Sequence, residues 1–282
     1  MEYIKKGRPF IKMHGLRNDF VIVDARNQPY TPSQKQISLI CDRHEGIGAD
    51  ELLIITPPTD PENDAAMGIY NPDGKEVEAC GNATRCMGLL LYRETGKTQT
   101  KIETLGGVLT CEYKGGDQVR VEMGRVRTQW DEIPLAEEMD TLHLGIENGP
   151  LKDPVGMNMG NPHAVFFVED FDNIDLTRYG RELETHSLFP EHANIGMAQI
   201  LDHETMKLVV WERPGMLTQA CGSGACAAAA AAIRRGLLKT DTIRVIMPAG
   251  TMTIEITQDH RAIMTGPAAF CFSGYLPESL SA

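Results

Sequence analysis

The chain has 282 residues, 42% of them hydrophobic and 23% charged, with a formal net charge of −12. That length and apolar fraction suit about two ordinary cores, and the acidity disfavours nucleic acid and anionic membrane surfaces, both of which require a basic face. Seven cysteines, an odd count without the spacing of a small secreted scaffold, read as reduced thiols. Met1 to Pro9 lacks the apolar stretch of a secretory signal, and the longest apolar run, Ala225 to Ile233, is well short of the roughly 20 residues of a membrane span. A cytoplasmic location is therefore expected.

In chain order, Gly15-Leu16-Arg17-Asn18-Asp19 leads into a strand-like run, Phe20 to Val23. A helix is expected from Thr31-Pro32, with Thr31 as N-cap and Pro32 in the first turn, burying Ile37, Ile40 and Cys41 and stopping before Gly46. Strands follow at Glu51 to Ile55 and Ala65 to Tyr70. The motif Ala79-Cys80-Gly81-Asn82-Ala83-Thr84-Arg85-Cys86 then opens an apolar helix closed by Gly96. Beyond the hairpin signal Leu105-Gly106-Gly107 come strands Val108 to Tyr113 and Val119 to Met123. In the second half Met159-Gly160-Asn161-Pro162-His163 precedes Ala164 to Val168, a helix is expected from Asp175 through Tyr179 and Leu183 toward His186, and Lys207 to Trp211 reads as a strand. Ala220-Cys221-Gly222-Ser223-Gly224-Ala225-Cys226 opens an alanine-rich helix closed by Gly236. Strands Thr242 to Met247 and Thr251 to Ile256 flank Pro248-Ala249-Gly250.

Cys80 and Cys221 stand half the chain length apart, and Asn71 and Glu212 precede them at equal distance, each ending a strand-like run. The order of strands, helix and hairpin also recurs, so the chain reads as an internal duplication and as two homologous domains, the first ending near Met123-Gly124. Both post-motif helices are apolar on nearly every face, as expected of a helix enclosed by its own domain.

A cysteine at a helix start lies beside unpaired N–H groups and a partial positive charge, which favour a thiolate and also bind a carboxylate. An ordinary thiol titrates near about 8.5, so a modest downward shift would supply a base. Two such helix ends converging on one small carboxylate would set its α carbon between two sulfurs. One thiolate would remove the α hydrogen and the opposite thiol would return a proton, inverting the centre without a cofactor. Opposed thiols also predict oxidative inactivation through a Cys80–Cys221 disulfide.

Plainer readings exist for each residue. Cys41, Cys86, Cys111, Cys226 and Cys271 read as small core hydrophobes. Asn18, Asn71 and Asn161 sit where turn chemistry alone explains asparagine, His163 follows Pro162 as a turn residue could, and Glu212-Arg213 before Pro214 could end a solvated strand. A four-thiolate zinc site from Cys80, Cys86, Cys221 and Cys226 is disfavoured by its spacing. No Cys-x-x-Cys redox pair, dinucleotide fingerprint or phosphate-binding loop is present. No metal and no cofactor are expected.

The phrases Phe10-Ile11-Lys12-Met13-His14-Gly15-Leu16-Arg17-Asn18-Asp19-Phe20, Tyr70-Asn71-Pro72-Asp73-Gly74 with Ala79-Cys80-Gly81-Asn82, Gly160-Asn161-Pro162-His163, Ala193-Asn194-Ile195-Gly196, and Glu212-Arg213 with Ala220-Cys221-Gly222-Ser223-Gly224 resemble, in order and across nearly the whole chain, the diaminopimelate epimerase family. The resemblance implies a pyridoxal-phosphate-independent isomerase that converts LL-diaminopimelate to the meso form in lysine and peptidoglycan precursor synthesis. It implies an α/β fold of two pseudo-symmetric domains, each a mixed, mostly antiparallel sheet wrapped around a central helix: residues 1–123 with about 268–282 returning to them, and residues 124–267. By motif match Cys80 and Cys221 are the acid/base pair, assisted by His163 and Glu212 respectively. Backbone N–H groups of Gly81, Asn82, Gly222 and Ser223 would hold the reacting carboxylate, and Asn18, Asn71, Asn161, Asn194 and Arg213 would contact the substrate's other polar groups. Family members often form homodimers; beyond a small amino acid no nucleic acid or membrane partner is implied. Two positions depart from the pattern, which usually has Gly at Arg17 and Gln at Glu51, here counted with the substrate contacts. An anionic Glu51 would suit a smaller or basic amino acid, such as histidine, as an alternative substrate.

Overall fold

A computed structural model describes residues 7–78 and 80–281. Residues 1–6, which carry most of the N-terminal reading, Ala79 of the first motif, and Ala282 lie outside the described residues. The chain separates into two compact units, Met1–Val121 with Gly266–Ala282, and Glu122–Thr265.

The elements of the first half are β1 (Pro9–Gly15), β2 (Asn18–Asp24), α1 (Gln34–Cys41), β3 (Glu51–Thr56), β4 (Ala65–Tyr70), α2 (Gly81–Thr95), β5 (Gln99–Thr104), β6 (Gly107–Gly115) and β7 (Gln118–Arg125). The second half has a two-stranded ribbon, β8 (Glu147–Asn148) with β9 (Leu151–Lys152), then β10 (Val155–Asn158), β11 (Pro162–Phe167), α3 (Gly180–Glu184), β12 (Asn194–Ile200), β13 (Thr205–Glu212), β14 (Met216–Thr218), α4 (Gly222–Arg234), β15 (Thr242–Met247), β16 (Gly250–Ile256) and β17 (Arg261–Pro267). The last strand, β18 (Ala269–Tyr275), returns to the first unit and runs antiparallel to β1.

The duplication is written in the strand pairing. From β1 to β7 neighbouring strands pair antiparallel, parallel, antiparallel, parallel, antiparallel, antiparallel. The path β10, β11, β12, β13, β15, β16, β17 repeats that sequence step for step. In both halves the second parallel step is bridged by the helix that follows the cysteine motif, as a parallel connection requires. The architecture is thus the mixed α/β one expected, with few helices and long sheets.

Each sheet buries its central strands on two faces. Along β2 and β3, Val21, Val23, Leu52 and Ile54 join an outer cluster with Ile37 and Ile40 of α1, while Phe20, Ile22, Leu53 and Ile55 are buried on the opposite face. Such strands read as continuous apolar runs rather than as alternation. α2 packs against β1, β5 and β6, and α4 against six strands of its own unit. Close approach explains their small residues: a Cβ at Gly88 of α2 would lie 2.9 Å from Cys111 Cβ and 3.0 Å from Val119 Cγ1, and every residue of α4 from Gly224 to Ala232 is buried.

Three expectations need correction. α1 starts two residues late, because Ser33 rather than Thr31 is its N-cap. The Ser33 hydroxyl accepts the Gln36 N–H while Gln36 Oε1 accepts the Ser33 N–H at 2.9 Å, a reciprocal box that Thr31 and Pro32 precede. The helix expected from Asp175 to His186 is split into a 3₁₀ turn at Leu176–Arg178, capped by Asp175, and the five-residue α3. There Gly180 presses on Trp211, whose ring would lie 2.6 Å from any added Cβ. Cys271 is exposed on β18 rather than in a core, since that strand ends its sheet and bears solvent-facing side chains, whereas Cys41, Cys86, Cys111 and Cys226 are buried. Among the described residues no helix is long and apolar enough to cross a membrane, and no three His, Cys, Asp or Glu side chains cluster as a metal site.

Candidate active site

Both motif cysteines are the N-cap residues of the enclosed helices. Cys80 (φ −140°, ψ 111°) and Cys221 (φ −126°, ψ 113°) are extended, and helical geometry begins at the glycine after each. The first-turn N–H groups of Gly81, Asn82, Gly222 and Ser223 stand where a helix offers unused donors. Gly224 N–H reaches Cys221 Sγ at 3.3 Å, and Ser223 Oγ lies 3.6 Å from the same sulfur.

In the first unit the structure brings together Asn18, Glu51, Cys80 and Asn82. Cys80 Sγ lies 3.6 Å from Asn18 Oδ1, which also accepts Asn82 Nδ2 at 3.0 Å. The orientation of these amides is imposed from behind. Arg85, fully buried one turn along α2, donates from Nη2 to Asn82 Oδ1 at 2.7 Å and from Nε to the Pro267 carbonyl at 3.2 Å. At the other end Asn18 Nδ2 donates to Asp50 Oδ2 at 3.1 Å, and Asp50 is held by Arg43. Burial alone would raise the Asp19 carboxyl, but the clamp of Arg43 and Lys12 outweighs it and holds the group far below the usual range. None of Arg85, Asp50, Asp19, Lys12 or Arg43 was singled out in sequence as a site residue. The one available signal was Arg85 itself, a charge three residues beyond Asn82 at the mouth of an apolar helix.

In the second unit there are two groups. His163 on β11 faces Asn194 on β12 across a parallel ladder, and its Nε2 meets Asn161 Oδ1 at 2.8 Å and Asn194 Nδ2 at 3.5 Å. With the shorter contact made by an N–H, Nε2 carries the proton and Nδ1 the lone pair. Asn194 Oδ1 accepts the Arg213 N–H at 3.0 Å, which fixes that amide, and the Arg213 guanidinium is tied to the carbonyls of Glu191 and His192. The second group is Glu212, at the end of β13, whose carboxyl acts on the Cys221 thiol. Asn71 stands apart from both: its backbone closes the Asn71 to Lys75 turn, with N–H to Lys75 O at 2.9 Å and Gly74 N–H to its own carbonyl at 2.8 Å. Arg17 is exposed at φ +67°, a left-handed conformation that explains the glycine usual at that position.

The charge states differ from expectation. Helix starts were expected to lower both thiols, yet both lie well above their ordinary value. For Cys80, burial is the larger cause and the Glu51 carboxylate adds to it; the N–H groups of Ala83 and Asn82 act the other way without winning. For Cys221, burial is again first and Glu212 second, opposed by Ser223 and Gly224. Half a unit of helix charge cannot offset desolvation plus an adjacent carboxylate. Burial also raises Glu212 itself. His163 is pushed down to about 3 by burial, with the Arg213 charge adding, so it is neutral at physiological pH.

A thiol at each of two equivalent helix starts, each beside first-turn N–H groups, is the arrangement of the cofactor-independent two-thiol racemases and epimerases. A family model described as diaminopimelate epimerase matches residues 10–129 and 155–271. The diaminopimelate epimerase of Rhodospirillum centenum is 45% identical over 273 residues, covering 97% of this chain and 94% of that protein. That of Acidiphilium cryptum is 46% identical over 275 residues, covering 98% of each. Among solved structures, a hydroxyproline epimerase from Agrobacterium vitis aligns with a TM-score of 0.69 at 16% identity, covering 97% of this chain and 92% of that one. A Bacillus anthracis protein of the PhzF phenazine biosynthesis family aligns at 0.68 and 16%, covering 96% and 99%. The latter two likenesses concern the fold alone. The chain belongs to the diaminopimelate epimerase family.

Proposed function

We propose that this chain epimerises LL-2,6-diaminopimelate to meso-diaminopimelate in lysine and peptidoglycan precursor synthesis, with Cys80 and Cys221 as the two bases. The observation that carries the reading is the matched placement of these thiols as N-caps of α2 and α4. Inversion requires one thiolate to remove the α hydrogen and one thiol to return a proton, so two sulfurs in opposite protonation states are needed.

The reacting carboxylate is held by the first-turn N–H groups of Gly81, Asn82, Gly222 and Ser223. As the α proton leaves, negative charge moves onto that carboxylate, and fixed donors aimed at developing charge contribute about 3 kcal/mol each. His163 supports Cys80 and Glu212 supports Cys221. The raised thiols suit the chemistry: a sulfur of high proton affinity is a stronger base once ionised, and the opposite sulfur remains a thiol ready to donate. Asn18, Glu51, Asn71, Asn161, Asn194 and Arg213 serve the substrate's remaining polar groups. The reaction is placed in the cytoplasm. A homodimer is the proposed solution state: β18 pairs only with β1 among the described strands and exposes Phe270, Phe272 and Tyr275 at 46%, 48% and 48%, an edge that a second copy would cover.

The test is incubation of the reduced protein with LL-diaminopimelate in deuterium oxide, following meso product chromatographically and α-deuterium by mass spectrometry. Inversion with solvent deuterium is expected. Cys80→Ala and Cys221→Ala should each reduce it by at least about 10² to 10⁴, the usual contribution of a positioned acid or base. Full turnover by either variant would reject the two-thiol mechanism. Turnover of histidine in preference to diaminopimelate would move the substrate but leave the chemistry.

A further inference from the structure

We propose that Glu184 is a positioning residue for substrate binding: from full burial it ties together the segments that carry Asn194, Glu212 and Arg213, and so holds the Arg213 guanidinium ready for a substrate carboxylate. The role rests on Arg213 and Asn194 being substrate contacts.

Glu184 ends α3 and is 0% exposed, yet no step of the proposed reaction uses it. Its oxygens serve three segments. Oε1 accepts Arg181 Nη1 of α3 at 2.9 Å and lies 3.6 Å from His192 Nδ1, and Oε2 accepts Trp211 Nε1 of β13 at 2.9 Å. The Glu184 backbone carbonyl accepts the Ala193 N–H at 3.1 Å, directly before Asn194. The turn after β13 lies against the same carboxylate: Gly215 N–H returns to the Glu212 carbonyl at 2.9 Å, and a Cβ at Gly215 would stand 3.3 Å from Arg181 Nη1 and 3.8 Å from Glu184 Oε2.

These ties end beside the candidate site residues. Trp211 precedes Glu212 on β13. His192 and Ala193 precede Asn194, whose Oδ1 accepts the Arg213 N–H at 3.0 Å and whose Nδ2 lies 3.5 Å from His163 Nε2. The Arg213 guanidinium donates from Nη1 to the carbonyls of Glu191 and His192. His192 is left-handed at φ +60°, a backbone state that a non-glycine residue keeps only where its surroundings fix it. With Nη1 occupied, the edge formed by Nε and Nη2 is the one turned to a carboxylate, and a bidentate grip requires that edge to keep its direction.

Stability alone does not explain a charge at this place. A buried ion pair gains little over apolar residues of the same volume, whereas a carboxylate gives directional bonds to several converging segments at once. Loss of the charge lets residues 191–194 and the turn after β13 move independently, and Arg213 loses its direction before the fold is lost.

Glu184→Gln keeps the size and removes the charge. The first readout needs no substrate, so its failure is distinct from a wrong substrate: phenylglyoxal modification of individual arginines, followed by peptide mass spectrometry on samples whose folded fraction is read by urea titration. Arg213 should be modified about fivefold faster or more in Glu184→Gln, while Arg26 of the first unit stays within about twofold. The second readout is steady-state epimerisation. KM for LL-diaminopimelate should rise about tenfold or more with kcat within about threefold, the pattern of lost binding rather than lost chemistry. Trp211→Phe removes only the indole N–H and should move both readouts in the same direction by a smaller factor; it decides the outcome where Glu184→Gln does not fold. An unchanged Arg213 rate, an equal acceleration at Arg213 and Arg26, or a fall in kcat with KM unmoved would overturn the role of Glu184. Faster Arg213 modification, with no turnover of LL-diaminopimelate by the unaltered chain, would keep Glu184 as the residue that positions Arg213 and reject the substrate.

Discussion

Arg85 shows how much of the site is decided by a residue that touches no substrate. Its guanidinium fixes the Asn82 carbonyl oxygen toward itself, so the Asn82 NH₂ must face Asn18, and the Asn18 NH₂ must face Asp50. The one orientation this leaves presents Asn18 Oδ1 to the Cys80 thiol. Arg85→Met fills similar volume but strands buried acceptors, which costs about 1–3 kcal/mol in stability. It should also lower kcat/KM at least tenfold by releasing the amides to flip. Arg85→Lys restores charge without the forked donors and should recover only part of that loss. Activity that falls only as far as the folded fraction, read from urea titration of the same samples, would reduce Arg85 to a structural role. Cys80, Cys221, Glu212 and His163 were readable as candidates because motif and duplication pointed to them. Arg85 and Asp50 were not, since their roles exist only through contacts with Asn82 and Asn18 from separate segments.

Elements were legible where local chemistry decides them. The strand Thr242–Met247 follows from its β-branched run and the start of each motif helix from glycine behind cysteine, and Gly96 caps α2 at φ +75° as expected of a helix-ending glycine. The start of α1 was misplaced because Thr31-Pro32 and Ser33 with Gln36 are both valid start signals, and the reciprocal pair of hydrogen bonds wins over a single one. Packing separates two glycines of one helix. Gly96→Ala adds a Cβ into open space but at a left-handed φ, costing roughly 1 kcal/mol. Gly88→Ala keeps good helical geometry yet drives a Cβ into Cys111 and Val119, and should cost about 1–3 kcal/mol by overpacking. Urea midpoints of the two variants, with Gly88→Ala lower, would check that the sheet closes tightly on α2; equal midpoints would deny it.

At the scale of the whole molecule, pH stability is tied to a buried histidine. His163 is 1% exposed and its folded pKa is about 3, against 6.5 ordinarily. A lowered histidine leaves the unfolded chain binding the extra proton, so this stability is complete above pH 6.5 and is lost as pH falls from there toward 3. Between pH 6.5 and 4.5, before most carboxylates titrate, the decline from this group approaches about 1.4 kcal/mol per pH unit. Unfolding free energies from urea titrations across that window should show it, and His163→Gln should flatten the slope; an unaltered slope would place the acid sensitivity elsewhere.

The residues by themselves determined the duplication, the pair of thiols at helix starts, the enclosed character of α2 and α4 and the reaction class, because periodicity, glycine placement and motif spacing are properties of neighbouring positions along the chain. Only the tertiary structure decided the protonation of those thiols and the company they keep. Burial and the carboxylates of Glu51 and Glu212 reverse the shift that a helix terminus alone would produce, and Arg85 sets the amides beside Cys80. Desolvation and through-space charge depend on which segments the fold brings within a few ångströms, and linear spacing carries no record of that.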